Sequence, residues 1–291
     1  AMGIKIENYR VDGSKTFKIK KTPTDSNGLE DKKVDFIEET RKNSEKISEL
    51  QEALYAEHKE ALLICFQALD AGGKDSTISH ILTGVNPMGV DVFSYKGPSA
   101  DEASHDFLWR YHKNLPVKGK IAVFNRSYYE EVLVVKVHEF FKDYNLPDRL
   151  KKVDYINQKY DDIKGFERYM NANSIRVIKF FLNLSKDEQK KRFLDRINRP
   201  EKNWKFSPND IKERQFFEKY QEAFESAINS TSTKECPWYV IPADQKWFAR
   251  YLVSEIILSV MKDINPRFPN VDQEQKDNLE LCKKMLEEEG K

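Results

Sequence analysis

The feature that most constrains the fold is an unbroken apolar run, Ala61–Phe66, followed at once by Leu69-Asp-Ala-Gly-Gly-Lys-Asp-Ser-Thr77. A short apolar run bounded by glycines is typical of a buried strand, and the residues after Lys74 have a helix-like pattern. In a strand–loop–helix unit, the loop N–H groups and the helix N-terminus can bind phosphate oxygens, while a lysine adds positive charge. The sequence therefore predicts a phosphate-binding loop. Ala68 and Asp75 depart from the strict Walker A pattern G-x-x-x-x-G-K-[ST].

The loop supplies a set of candidate phosphate-binding residues, which are Gly72, Gly73, Lys74, Ser76 and Thr77. The competing interpretation is an ordinary glycine-rich connection with a solvated lysine. We favour phosphate binding because the strand, the glycines, the lysine and the helix occur in the order that such a site needs.

Apolar segments alternate with amphipathic ones along most of the chain. Four segments after Ala61–Phe66 have strand character, namely Val90–Tyr95, Ile121–Phe124, Ile175–Leu184 and Trp238–Ile241. Several lack polar alternation, which is typical of strands covered on both faces. Three serines, Ser99, Ser185 and Ser207, each precede an acidic residue by three positions and predict helix starts. We therefore expect an α/β fold with a five-stranded parallel sheet flanked by helices.

Composition excludes several classes of protein. Lys and Arg total 49 against 48 Asp and Glu, so a globally basic surface for nucleic acid is not expected. The 3 cysteines form no CxxC pair, which argues against disulfide scaffolds and structural zinc and favours a reducing compartment. No apolar run is long enough to span a bilayer, and the first residues lack the apolar stretch of a signal peptide. We expect a cytoplasmic protein without a membrane partner.

Two acidic residues, Asp70 and Asp75, flank Lys74. Beside bound phosphates they would repel the substrate unless a cation lay between them. Mg²⁺ binds one or two carboxylates together with phosphate oxygens and water, so the pattern predicts Mg²⁺, with Mn²⁺ as a substitute. The alternatives are a turn residue at Asp70 and a helix-start acid at Asp75.

The third predicted strand ends in Asn125-Arg126. A Walker B strand ends in an aspartate that holds the metal, whereas Asn125 cannot contribute charge. Arg126 would lie at the carboxyl end of the sheet, where ligands of open α/β sheets bind, and could meet phosphate. Glu130 and Glu131 follow. They either bind metal or acceptor, or are acids favoured near a helix start.

A basic segment follows the fourth predicted strand. Arg192, Arg196 and Arg199 are spaced i, i+4 and i+7, which places them on one helix face. A connection containing Trp204 and Lys205 precedes the next helix start. This arrangement predicts a lid that closes over phosphates. The alternative is a solvated basic face balanced by nearby acids, which are Asp187, Asp195 and Glu201.

Several motifs, in order, resemble those of the polyphosphate kinase 2 family over about residues 35–265. They are Leu69–Thr77, Gly84-Val-Asn-Pro87, Phe107-Leu-Trp-Arg110, Phe124–Val134, Trp204–Pro208 and Pro237-Trp-Tyr-Val-Ile-Pro-Ala-Asp244. Asn-Arg-Ser-Tyr-Tyr-Glu-Glu is most similar to class III, which phosphorylates nucleoside mono- and diphosphates with polyphosphate as donor. The classes that start from diphosphates more often have Asp-Arg at the position of Asn125-Arg126. Gly72 stands where the family more often has alanine.

The polar residues 1–34 predict an extended N-terminal arm, and the polar pattern within 266–291 predicts a C-terminal helix. The resemblance implies a P-loop kinase core at 35–265 with a helical lid at about residues 186–215. It implies that Asp70 and Asp75 organise Mg²⁺ and that Lys74 binds the transferred phosphoryl group. Arg126 would hold phosphate at the strand end. The expected polyphosphate clamp consists of Arg192, Arg196, Arg199 and Lys205. The residues expected to bind the nucleotide are Lys96, Pro98, Arg110, Asn125, Arg126 and Glu130. Glu131 is expected to be a further metal ligand beside Asp70 and Asp75.

The implied activity is Mg²⁺-dependent, reversible transfer of the terminal phosphoryl group of inorganic polyphosphate to AMP and ADP. GMP and GDP are further candidate acceptors, and the resemblance implies a homo-oligomer, either a dimer or a tetramer. Two alternatives stay open. One is an ATP-dependent nucleotide kinase, and the other is a non-catalytic polyphosphate or nucleotide sensor, which the uncharged Asn125 would suit.

Overall fold

The centre of the fold is a six-stranded sheet, seen in a computed structural model that describes residues 2–291. Residue 1, part of the predicted arm, lies outside the described residues. The strands are β1 (Arg10–Val11), β2 (Ala61–Ala68), β3 (Val90–Ser94), β4 (Ile121–Asn125), β5 (Ile175–Asn183) and β6 (Trp238–Pro242). Their order is β1-β6-β5-β2-β4-β3, and all neighbours are parallel except β1 and β6.

The predicted α/β architecture is confirmed, but the predicted number of five strands is wrong. β1 is a two-residue strand at the sheet edge, where Arg10 pairs with Tyr239 and Val11 with Trp238 in antiparallel register. It lies in the polar segment that the sequence predicted as an extended arm. Since this edge strand is held by backbone pairing rather than by an apolar run, its sequence carries no strand signal.

Helices cover both faces of the sheet. They are α1 (Lys33–Glu57), α2 (Lys74–Ile81), α3 (Ala100–Ser104), α4 (Trp109–His112), α5 (Val134–His138), α6 (Asp148–Lys151), α7 (Tyr155–Ala172), α8 (Lys186–Asn198), α9 (Pro208–Arg214), α10 (Phe217–Thr231), α11 (Lys246–Ile264) and α12 (Gln273–Glu287). Short 3₁₀ turns at Tyr128–Val132 and Pro200–Lys205 follow β4 and α8. Among residues 2–291, none of these helices combines the length and apolar character needed to cross a bilayer.

The side chains of β2 alternate between two hydrophobic clusters. Leu63 and Cys65 belong to the cluster that α7 and α10 cover, whereas Leu62 and Ile64 belong to the cluster that α1 and α11 cover. All four are buried. Both faces of the central strand are therefore shielded from solvent, which is the physical reason for its unbroken apolar sequence.

The three predicted helix starts are observed. Ser99 and Ser207 form capping boxes with Glu102 and Asp210, and Ser185 Oγ accepts a hydrogen bond from Glu188 N at 3.1 Å. Each serine satisfies an otherwise unpaired N–H group in the first helical turn. These caps fix where the segments after β3 and β5 turn into helices.

The N-terminal segment packs against the body of the protein, whereas the C-terminal helix does not. Phe17 is buried, and its backbone N–H donates to Asn229 Oδ1 while its carbonyl accepts from Asn229 Nδ2. In contrast, every residue of α12 is exposed. The first segment is thus part of the folded unit, and α12 extends from it.

Candidate active site

The loop between β2 and α2 is tightly built. Gly72 N donates to Leu69 O at 3.0 Å, and a Cβ at Gly72 would lie 2.6 Å from the Cβ of Ala68. Ala71 and Gly73 have φ angles of +67° and +87°. Lys74 is the first residue of α2. The N-terminus of a helix therefore opens directly from a narrow, glycine-dependent turn, which is the geometry expected for a phosphate site.

Charged side chains meet beside this loop. Arg126 has a φ angle of +62°, and its backbone N–H donates to Phe66 O. Its guanidinium lies between two carboxylates, 3.8 Å from that of Asp70 and 3.7 Å from that of Glu130. Asn125 Nδ2 donates to Asp75 Oδ1. The fold thus brings both loop aspartates, the end of β4 and Glu130 to one edge of the sheet, as the topology predicts.

Partial burial shifts the pKa values of these charged side chains. Loss of solvent raises the pKa of Asp70, and the negative charge of Asp210 raises it further. Burial also raises the pKa of Glu130 and lowers the pKa of Lys74, while the positive charge of Arg126 lowers both pKa values. The charges at this edge are therefore poorly solvated, so a bound anion or cation would interact with them strongly.

A cleft of about 400 Å³ opens over Asp70, Arg126 and Glu130. One wall is the sheet edge with Gln67, Asp70, Arg126 and Glu130. The other walls come from α5, α9, α10 and their flanks, with Leu133, Val134, His138, Phe140, Asn209, Asp210, Glu213, Phe217 and Tyr220. The cleft is therefore charged at the phosphate loop and more apolar towards α5 and α10.

Sequence reasoning missed the polar residues on the helical walls. His138 Nε2 lies 2.8 Å from Glu213 Oε1, and Tyr220 Oη donates to Glu213 Oε2. In sequence they follow the pattern of ordinary amphipathic helices. Only the packing of α5, α9 and α10 brings them to the cleft, so no local signal could have identified them.

The predicted arginine stripe divides into two environments. Arg192 donates to Ala71 O at 2.7 Å and to Ala243 O at 2.7 Å, so its guanidinium joins the phosphate loop to the end of β6. Arg199, the residue after α8, pairs with Asp195 and Glu201 at 3.6 and 2.9 Å. Arg196, in the last turn of α8, is half-buried. Helix α8 ends at Asn198, so Arg199 leaves the shared helical face.

Lys205, also predicted to bind polyphosphate, is exposed. Its Nζ lies 5.3 Å from the ring centre of Trp204, which is itself 79% exposed. Both residues are in the 3₁₀ turn after α8. This turn therefore presents a cation and an aromatic ring to solvent rather than to the cleft.

The predicted nucleotide residues after β3 lie apart from the cleft lining. Arg110 donates to Lys96 O at 2.6 Å and to Tyr111 Oη at 2.9 Å, and its guanidinium lies 5.5 Å from the centre of the Tyr95 ring. Lys96 and Pro98 are exposed. The guanidinium of Arg110 therefore holds the segment after β3 in place, while Lys96 keeps an ammonium in solvent.

The structure does not bring Glu131 to Asp70 and Asp75. Glu131 accepts a hydrogen bond from Tyr155 Oη, which turns it towards α7. Within residues 2–291, no three His, Cys, Asp or Glu side chains are grouped closely enough to hold a metal by themselves. A cation held by Asp70 and Asp75 would therefore need its other ligands from phosphate and water, as Mg²⁺ does.

A buried polar network supports the segment after β4. The hydroxyl groups of Tyr128 and Tyr129 donate to Glu167 at 2.6 and 2.9 Å, and Lys179 Nζ lies 2.6 Å from the same carboxylate. Burial raises the pKa of both phenols, which therefore act as neutral donors. This network fixes the chain immediately after Arg126.

Comparisons with known proteins agree with the geometry. The polyphosphate kinase 2 (PPK2) family model matches residues 30–269. An ADP-polyphosphate phosphotransferase of Rhodopseudomonas palustris is 43% identical over 288 residues, covering 98% of this chain and 99% of that protein. An AMP/ADP-polyphosphate phosphotransferase of Meiothermus ruber is 40% identical over 265 residues, covering 91% and 96%.

A comparison with a solved structure supports the same family at the level of the fold. The crystal structure of polyphosphate kinase 2 from Arthrobacter aurescens TC1 matches with a TM-score of 0.84 and 33% identity over 94% of this chain and 95% of that one. The expected P-loop kinase fold and the resemblance noted in the motifs are confirmed. With a family model that spans most of its length and relatives aligned nearly end to end, this chain belongs to the polyphosphate kinase 2 family.

Proposed function

We propose that this protein transfers the terminal phosphoryl group of inorganic polyphosphate to ADP and AMP, forming ATP and ADP. The observation that carries the proposal is that Asp70, Arg126 and Glu130 line one cleft beside the start of α2, where the charge of Lys74 acts on all three, in a chain of this family. The Meiothermus ruber relative is named for both acceptors, which favours AMP as well as ADP.

The reaction requires a phosphate oxygen of the nucleotide to attack the terminal phosphorus of polyphosphate in line. The new P–O bond forms as the bridging P–O bond breaks, and the shortened polyphosphate leaves with the bridging oxygen. Lys74 and the N–H groups at the start of α2 bind the oxygens of the transferred group, and Arg126 neutralises charge at the strand end. Catalysis then depends on positioning and electrostatic stabilisation, so no covalent nucleophile is needed.

Mg²⁺ is the proposed cofactor, with Mn²⁺ able to replace it. Asp70 and Asp75 would hold the ion, which supplies positive charge to the phosphates. Asn125 orients Asp75 by its hydrogen bond to Oδ1 and leaves the second carboxylate oxygen available. Glu131 has no part in this proposal because Tyr155 holds it elsewhere.

The lid is proposed to comprise about residues 186–215 of a catalytic domain at 35–265. On closure of the lid, Arg196, Arg199 and Lys205 would supply positive charge to the polyanion, which requires Lys205 to turn from solvent towards the cleft. Arg192 holds the phosphate loop through Ala71 O. Side chains that rearrange on polyphosphate binding would include Arg199, whose present partners are exposed acids that give weak ion pairs.

Further properties complete the proposal. Reversibility follows from the chemistry, because each direction exchanges one phosphoanhydride bond for another. GMP and GDP are candidate acceptors, since the phosphate-loop contacts are independent of the base. A cytoplasmic location agrees with three free cysteines among the described residues. The homo-oligomer, a dimer or tetramer, rests on the family resemblance.

The test is phosphate transfer from long-chain polyphosphate to ADP and, separately, to AMP, with Mg²⁺ and with EDTA. Products are separated by chromatography, and ATP is offered as an alternative donor. We expect ATP from ADP, ADP and then ATP from AMP, and no product with EDTA. Use of ATP but not polyphosphate would favour a nucleotide kinase, and binding without transfer would favour a sensor.

A further inference from the structure

Asp244, at the end of β6, joins three parts of the protein. Its Oδ2 accepts from Thr24 Oγ1 at 2.8 Å, and its backbone N–H donates to Thr24 O at 2.8 Å. Its Oδ1 accepts from Ser185 N, the N-cap of α8, at 2.8 Å. The two oxygens of one carboxylate therefore connect the N-terminal segment to the start of the lid helix.

The segment around Thr24 is held at further points. Ser26 N donates to Gln245 Oε1 at 2.7 Å, and Asn183 Nδ2 lies 3.5 Å from Pro23 O. Ser26 is buried. Thus residues 23–26, which we name the arm junction, lie across the ends of β5 and β6 rather than loosely on the surface.

Side chains of α8 in turn hold the phosphate loop through the loop's backbone carbonyls. Gln189 Nε2 donates to Asp70 O at 3.0 Å, and Arg192 Nη1 donates to Ala71 O at 2.7 Å. Arg192 Nη2 also donates a hydrogen bond to Asp244 O at 3.1 Å. Because these contacts use loop carbonyls, they set the direction of the peptide units without occupying the N–H groups at the start of α2.

We propose that Asp244 is a positioning residue through which the arm junction sets the place of α8 and, through Gln189 and Arg192, the conformation of the phosphate loop. The inference rests on the proposed function for its kinetic consequence, which is tighter binding of polyphosphate. The negative carboxylate suits the N-terminus of α8, where the N–H groups carry partial positive charge. An N-terminal segment outside the cleft thereby becomes part of the phosphate-binding apparatus.

The test compares Thr24→Val with Thr22→Val. Thr24→Val removes the hydroxyl that bonds to Asp244, whereas Thr22→Val removes a hydroxyl that donates to Lys18 O within the same segment. Hydrogen exchange of the substrate-free protein is followed in peptides covering 184–193 and 69–77. We expect faster exchange in both peptides for Thr24→Val and unchanged exchange for Thr22→Val.

The kinetic arm measures KM and kcat with polyphosphate and ADP. For Thr24→Val we expect KM for polyphosphate to rise about threefold to tenfold, while KM for ADP stays within about twofold. Asp244→Asn should retain most of the wild-type behaviour, because its amide can accept from Ser185 N and donate to the Thr24 hydroxyl. Asp244→Ala can do neither and should show a larger rise in KM than Thr24→Val.

Equal behaviour of Thr24→Val and Thr22→Val in exchange and in KM would overturn the inference. So would faster exchange with an unchanged KM for polyphosphate, since the junction would then be only structural. A wild-type protein without transfer from polyphosphate would instead overturn the proposed function. The exchange comparison would still decide whether the arm junction controls α8 and the loop.

Discussion

Asn125 Nδ2 donates a hydrogen bond to Asp75 Oδ1, joining the end of β4 to the first turn of α2. An uncharged amide therefore stands where a Walker B strand carries an aspartate. The bond occupies one oxygen of Asp75 and leaves the other free. A single charge at this point distinguishes the site from one with two adjacent carboxylates.

Asn125→Asp is expected to make the free energy of unfolding depend on Mg²⁺. Two carboxylates within hydrogen-bond distance repel each other, which together with the lost hydrogen bond should cost about 1–2 kcal/mol without metal. Mg²⁺ should restore most of that stability because it would gain another carboxylate ligand. Thermal unfolding with EDTA and with Mg²⁺ checks this expectation. The matched control is Asn278→Asp on exposed α12, and an equal response of both variants to Mg²⁺ would contradict the account.

Lys74→Met is expected to lose turnover without losing stability. The ammonium is partly buried and its pKa is lowered by desolvation, so its removal relieves an unfavourable burial. Turnover should fall about 100- to 1,000-fold, as for loss of a comparable electrostatic contact to the reacting group. Steady-state rates and thermal unfolding are measured beside exposed Lys118→Met. A rate near that of wild type would remove Lys74 from the phosphate site.

Gly73→Ala tests the backbone of the phosphate loop. At φ +87° an alanine is strained by about 1–2 kcal/mol, although a Cβ there would meet no atom closer than 3.6 Å. We expect lower stability and a higher KM for polyphosphate. Gly165→Ala in α7 has open space and no positive φ, so it should stabilise by about 0.5–1 kcal/mol. Urea unfolding of both variants gives the comparison, and stabilisation by Gly73→Ala would show that the loop backbone is assigned wrongly.

Glu167→Gln tests the network beneath the segment after β4. The substitution leaves Lys179 buried without its charged partner, which should cost about 3–5 kcal/mol. Urea unfolding checks this against Glu52→Gln on the exposed face of α1. A loss below about 1 kcal/mol, the range of exposed ion pairs, would mean that the pair is not shielded from water.

The sequence predicts the parts of the site that lie in continuous motifs. The buried strand β2, its loop, and the end of β4 follow from apolar runs that stop at Phe66 and Phe124, and a parallel sheet brings such ends to one edge. For the same reason, the order of these motifs along the chain is enough to group Asp70, Lys74 and Arg126 at one site.

Other parts depend on tertiary packing. β1 forms because the backbone at Arg10 meets that at Tyr239, which no local pattern indicates. Arg192 and Arg199 share a spacing but part at the end of α8, so periodicity alone assigned them one role. Glu213 reaches the cleft only because α9 packs beside α5. These features arise from contacts between segments distant in sequence.

The central claim is tested most directly by following the phosphoryl group itself. ³²P-labelled polyphosphate is mixed with ADP, Mg²⁺ and excess enzyme, and the products are separated after a single turnover. The account predicts label in the terminal phosphate of ATP for the wild-type and Lys118→Met proteins, and almost none for Lys74→Met. Unlabelled ATP in all three, or equal labelling by Lys74→Met, would contradict it.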